Sequence, residues 1–196
     1  MSRFRNKGLD FNKRKKTTVN LPLIKETAIT IIQIILVVFM AFVCVYFFGM
    51  RTSTVGQSMS QTLKNGDQIL VNRFAYKLAN PKVNDVIVFL PNGNKKSHYY
   101  IKRVIGVPGD NVQIKDGAVY INNKLFDEKI TADAIEDAGL AKDKVKLGSD
   151  EYFVLGDNRN NSEDSRYANI GNIKKQYIVG KAWFVVSTNH RFGFIR

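Results

Sequence analysis

The chain has 196 residues, 44% of them hydrophobic, and a formal net charge of +13. That length buries one sizeable core. A single cysteine, Cys44, and two histidines, His98 and His190, exclude an intrachain disulfide and a cysteine-based metal site, so no metal or cofactor is expected.

The N-terminus is the most basic part. Residues 1–26 carry eight Lys or Arg against Asp10 and Glu26, a net +6, which leaves +7 for the rest. No zinc-finger spacing and no helix-turn-helix pattern accompanies this charge. The tail therefore reads as a topology signal, and nucleic acid is not an expected partner. Residues 27–50 follow without one charged side chain. As a helix they would run ~36 Å at 1.5 Å per residue, enough to cross a ~30 Å hydrocarbon layer. A cleavable signal peptide fits less well, because the run is long and no small-x-small site follows it closely. The basic tail should stay cytoplasmic and residues 51–55 should link the anchor to an outer domain, 51–196.

Beyond the anchor, short strand-like runs alternate with turns. Strands are expected over 68–74, 85–90 and 97–107, with a Pro91-Asn92-Gly93-Asn94 turn between the last two. Residues 111–115 and 118–122 flank Asp116-Gly117, a hairpin signal. Residues 127–148 are polar and read as a surface insertion with a short helix near 132–138. Strands return at 151–155 and 177–187, on either side of a polar, turn-rich stretch, 156–171. The expected fold is mainly β, a coiled antiparallel sheet or partly closed barrel preceded by one transmembrane helix.

Alternation places Tyr100, Lys102 and Val104 on one strand face and Ile101, Arg103 and Ile105 on the other. Two readings of Lys102 are open. It lies on a rim strand and snorkels to water, or it is desolvated among Tyr100 and aliphatic neighbours. Desolvation lowers a lysine pKa from ~10.4 toward ~7–8, where the amine serves as a general base. A serine hydroxyl needs such a base. A triad of His98 or His190 with Asp157 or Asp164 is the weaker arrangement, and no G-x-S-x-G elbow is present.

Three segments resemble type I signal peptidases, in the single-anchor form of Gram-positive bacteria. They are Ser58-Met59-Ser60-Gln61-Thr62-Leu63, then Lys102-Arg103-Val104-Ile105-Gly106-Val107-Pro108-Gly109-Asp110, then Gly156-Asp157-Asn158-Arg159-Asn160-Asn161-Ser162-Glu163-Asp164-Ser165-Arg166. The family boxes occur in this order, the third matching at every fixed position, and residues 178–182 also look like the family. The resemblance implies that Ser58 is the nucleophile and supplies an oxyanion N–H, and that Lys102 is the general base. It implies that Ser162 orients the amine, and that Tyr100 and Val154 help to desolvate it. Asp157, Arg159, Asp164 and Arg166 would form a structural ion-pair network. Substrate would be a secreted preprotein, bound as an added strand and cut after a small-x-small motif such as Ala-x-Ala. Gly56, Gln57, Leu63, Val86 and Val88 are the candidate pocket walls. A lipid bilayer and a functional link to the export machinery are the further partners implied.

The match has departures. Gln61 stands where the family has proline. Gly56 stands where some relatives carry an oxyanion serine, as it does in others from Gram-positive bacteria. Thr188-Asn189-His190-Arg191 replaces a Trp-Pro element, and the short 127–148 segment predicts a reduced accessory β subdomain. A specialised or inactive factor in surface or pilus assembly is the alternative function. A self-cleaving repressor would need a DNA-binding head where this chain has an anchor. A sortase-like transpeptidase would need a cysteine outside the apolar run.

Overall fold

A computed structural model describes residues 20–48, 50–186 and 192–195. The first nineteen residues of the basic tail and the 188–191 departure, His190 included, lie outside the described residues. The N-terminal helix α1 spans Leu21–Phe48. It starts six residues before the expected 27 and ends before Met50. Pro22 sits in its first turn, where a missing N–H costs no intrahelical bond. Thr27 and Thr30 hydroxyls donate back to the carbonyls of Leu23 and Glu26. Among the described residues α1 is the one helix long and apolar enough to cross a membrane, with mean hydropathy 2.9 over Leu21–Tyr46.

The remainder is built from twelve short strands: β1 (Met50–Ser53), β2 (Gln68–Asn72), β3 (Val86–Phe89), β4 (Tyr100–Gly106), β5 (Asn111–Lys115), β6 (Ala118–Ile121), β7 (Lys124–Leu125), β8 (Val145–Lys146), β9 (Glu151–Leu155), β10 (Ile173–Lys174), β11 (Ile178–Val185) and β12 (Gly193–Phe194). The main sheet runs β1-β2-β11-β3-β4-β9-β10, with β12 on β11, and its pairings are antiparallel. Register shifts at Ala182/Phe184, Ile178/Gly180 and Val104/Gly106 curl it. The architecture is the expected mainly β one, a coiled antiparallel sheet after an apolar helix. Residues 50–53, expected as part of the anchor and the link after it, form strand β1 instead, paired to β2.

The near-continuous apolar run of β3 is explained by burial on both faces. Val86 and Val88 pack with Met59, Leu63 and Ile101, whereas Ile87 and Phe89 pack with Val104, Tyr152 and Val154. A third cluster joins Ile105, Phe153 and Leu155 to the smaller sheet, β7-β6-β5-β8. The β5–β6 hairpin turns at Asp116 and Gly117, both at positive φ, as its two-residue loop requires. The helix expected at 132–138 does not form. Its backbone groups are taken by distant partners: Ile135 N–H donates to Gly117 O, Glu136 N–H to Asn160 Oδ1, and Ala134 O accepts from Asn160 Nδ2. Residues 127–148 are also more than surface, since Ile135, Ala141 and Leu147 are buried in the third cluster.

Gly106 is where the two sheets meet. A Cβ there would lie 2.6 Å from Val112 Cγ2 and 2.8 Å from Leu147 Cδ1. Gly106→Ala should therefore destabilise the fold by ~1–3 kcal/mol through overpacking. Chemical denaturation of the full chain in detergent measures this, and an unchanged midpoint would contradict the packing described.

Candidate active site

Strand β4 has paired neighbours on both sides, β3 and β9. Lys102, opposite Ile87 in the register, is therefore central and not on a rim, and it is only 4% exposed. The rim reading of this lysine is overturned. Its Nζ lies 2.6 Å from Ser58 Oγ and 5.5 Å from the centre of the Tyr100 ring. Burial pushes the amine down to about 8; Asp164, Glu163 and Asp157 oppose that shift, and Arg166 adds to it. At neutral pH an appreciable fraction is then the uncharged amine a serine hydroxyl needs.

Continuing the Arg103↔Leu155 register by one residue brings Gly156 beside Lys102. The missing side chain is essential there. A Cβ on Gly156 would lie 2.6 Å from Ser58 O and would overlap Ser162 Oγ. The strand end thus leaves room for the Ser58 backbone to pass close to the amine.

Ser58 sits in a tight turn, with Ser60 N–H donating to Gln57 O and Leu63 N–H to Met59 O. Asn158 clamps this turn from the far segment. Its N–H donates to Ser58 O at 3.0 Å, and its Nδ2 donates to Gln57 O at 3.2 Å and Ser60 Oγ at 3.0 Å. Among the described residues the Ser58 N–H has no hydrogen-bond acceptor, so it is open to an oxyanion. Gly56 has φ +86 and no atom within 4 Å of a built Cβ, so backbone conformation and not crowding favours glycine. Its N–H donates to Asn65 Oδ1.

Four of the five charged residues of the third box, all but Glu163, form three pairs, two of them with partners outside it. Asp157 accepts from Arg103 Nε at 2.8 Å and Nη2 at 2.7 Å, and from Thr62 Oγ1 at 2.5 Å. Arg159 makes a two-pronged pair with Glu128, at 2.6 and 2.7 Å. Asp164 holds Arg166 Nε at 2.8 Å, and Arg166 Nη2 donates to Arg159 O. Ser162 does not touch the amine; its hydroxyl donates to Asp164 Oδ2 at 2.7 Å. A carboxylate is the stronger acceptor in that position.

A cleft of ≈ 270 Å³ opens over this pair of side chains, and Gly56, Gln57, Ser58, Leu63, Tyr100 and Lys102 all line it. Val86 and Val88, proposed as walls, do not. They are 2% and 0% exposed and lie in the core behind Met59 and Ile101, which do reach the cleft. Val154, on β9, is also fully buried and paired with Val104, in the cluster that Tyr100 packs against. Sequence reasoning missed Asn158, Thr62, Arg103, Gly156, Glu128 and Glu163. All but Glu128 stand inside the three boxes, but most of their partners lie far along the chain.

A serine hydroxyl lies beside a buried lysine amine of lowered pKa, on a coiled β-sheet after an apolar helix, an arrangement chemically able to carry acyl transfer. The family described as signal peptidase, peptidase S26, matches residues 24–187, and the chain belongs to that family. Its relatives are type I enzymes, and the chain is of that type, a serine protease. It is 38% identical over 131 residues to the probable signal peptidase I-2 of Synechocystis, covering 64% of this chain and 57% of that protein. It is 35% identical over 163 residues to signal peptidase I T of Bacillus subtilis, covering 78% and 81%. It is 36% identical over 173 residues to signal peptidase IB of Staphylococcus aureus, covering 79% and 88%. Among solved structures, a signal peptidase I from Enterococcus faecalis is similar at 28% identity and a TM-score of 0.41, covering 53% of this chain and 97% of that one.

Two outcomes test the site's construction. Gly156→Ala should displace Ser58 and collapse turnover while the chain still folds, read by activity beside circular dichroism. Lys102→Met should stabilise the protein at pH 7 by up to about 3 kcal/mol, because the amine's folded pKa lies below its unfolded one. The ammonium penalty is complete below about 8 and fades as pH rises to the unfolded value. The gain should therefore shrink between about 8 and ~10.4 in melting curves taken across pH.

Proposed function

We propose that this chain removes N-terminal signal peptides from exported preproteins with a Ser58–Lys102 dyad, cutting after a small-x-small motif. The observation that carries the reading is the 2.6 Å approach of Ser58 Oγ to an amine that is 4% exposed. Ser58 Oγ attacks the scissile carbonyl as Lys102 takes its proton. The tetrahedral oxyanion is met by the Ser58 N–H. Lys102 then returns the proton to the leaving amine, and the acyl-enzyme is hydrolysed by water that the same amine deprotonates.

The substrate is taken as an extended strand along the cleft, where Met59, Leu63 and Ile101 offer apolar walls. Shallow walls favour alanine-sized side chains. Residues 1–26 form the cytoplasmic tail, the part of α1 from residue 27 on crosses the bilayer, and the β-rich part faces outward beside the export machinery. The basic tail and the uncharged run support that topology. A non-catalytic assembly factor would have no use for a buried amine held against a serine, a costly arrangement to maintain.

The test is processing of an Ala-x-Ala precursor by the full chain in detergent, with product ends read by mass. Ser58→Ala and Lys102→Ala should each lower kcat by about 10³-fold or more. Wild-type kcat/KM should rise as pH rises through about 8, since the uncharged amine is the base. Persistent cleavage by Ser58→Ala would end the assignment.

A further inference from the structure

We infer that Glu163 is a positioning residue that uses Tyr100 to hold an aromatic wall against Lys102, and whose charge sets the acid edge of activity. The inference rests on the Ser58–Lys102 reading above and adds to it a residue at a variable position of the third box.

The structural gap is plain. Ser162, the expected orienter, is engaged by Asp164, so the Lys102 amine has one described hydrogen-bond partner, Ser58. What else confines it is the Tyr100 ring. That ring is only partly buried and would be free to swing if nothing held it. It is held at both ends. The ring packs at a tilt of 44° against Phe89, with ring centres 5.9 Å apart. Its hydroxyl donates to Glu163 Oε2 at 3.0 Å. Glu163 is itself fixed, since its other oxygen accepts from the Asn169 side-chain amide. The chain of contacts Asn169–Glu163–Tyr100 therefore ends on the face of the catalytic amine.

Glu163 acts on that amine in two opposing ways. Pinning the ring keeps water out and favours the uncharged form. The carboxylate charge favours the ammonium. The other charged groups around Lys102 are Asp157, Asp164 and Arg166, all buried and all engaged in ion pairs. His98, also at the cleft, is exposed. Glu163 is the exposed carboxylate of the set, so its charge can be removed without stranding a buried partner.

The two actions separate by substitution. Glu163→Gln keeps an oxygen to accept from the Tyr100 hydroxyl but removes the charge. The acid limb of kcat/KM against pH should move to lower pH, with activity at pH 6.5 up about two- to three-fold over wild type. That advantage should vanish as pH rises past the Lys102 titration. Tyr100→Phe keeps the ring but cuts its tether, so water reaches the amine and Glu163 is freed to approach it. The limb should move to higher pH, with a loss of several-fold at pH 7. Opposite displacements are the signature, because a merely structural role would scale both profiles without moving either limb.

The experiment measures both profiles on the full chain in detergent with an Ala-x-Ala precursor, beside Lys102→Ala. If Lys102→Ala is inactive but the two limbs coincide with wild type, or move together, the inference fails and the dyad stands. If Lys102→Ala still cleaves, both fall.

Discussion

The structure depends on keeping one amine out of water without giving it a counter-ion. A lysine in contact with a carboxylate would be stable and useless as a base; a lysine alone in the core would be costly. Here the carboxylates Asp157 and Asp164 are close enough to act on Lys102, yet each is engaged by its own arginine. Their charges are largely answered before they reach the amine, and burial wins. This explains why so many charges are buried in a small domain. They do not add stability so much as hold carboxylates away from Lys102.

The same pairs carry the geometry. Asp157 joins β4, through Arg103, to the turn that carries Ser58, through Thr62. Asn158, its neighbour, grips the backbone on both sides of Ser58. One dipeptide therefore sets where the serine stands relative to the strand that bears the lysine. Removing either half of the Arg103–Asp157 pair would leave a bare charge in a dry core, a loss of ~3–5 kcal/mol. Positional accuracy at the dyad and stability of the domain are in this way one property.

Much of the fold was legible because strand periodicity and turn chemistry are local. The Asp116-Gly117 hairpin and the existence of strand β3 follow from a few adjacent residues. The segment 132–138 was misread for the converse reason. Its composition permits a helix, but Gly117 and Asn160 claim its backbone groups from a distance. Lys102 shows the same limit: alternation assigns a face, but it cannot tell a central strand from a rim strand. Asp157, Arg159, Asp164 and Arg166 of the third box were recognised, but not the partners of the first two. Arg159 reaches Glu128 across 31 positions and Asp157 reaches Thr62 across 95. Val86 and Val88 were placed in the cleft by hydrophobicity alone, which does not distinguish a wall from the core behind it.

The loss of the family proline at Gln61 can now be weighed. Gln61 is exposed, and among the described residues its N–H enters no hydrogen bond. A proline there would remove no contact. Its benefit would lie in stiffening the unfolded chain, worth ~0.4–1 kcal/mol where the backbone suits it. The folded turn is held by other means: the Leu63 N–H on Met59 O, the Thr62 hydroxyl on Asp157, and Asn158 on Ser60. The last two of these anchors come from the segment that follows β9. The turn is therefore shaped by the segment it faces as well as by its own backbone hydrogen bonds. The substitution bears on the stability of the turn and leaves the approach of serine to amine intact.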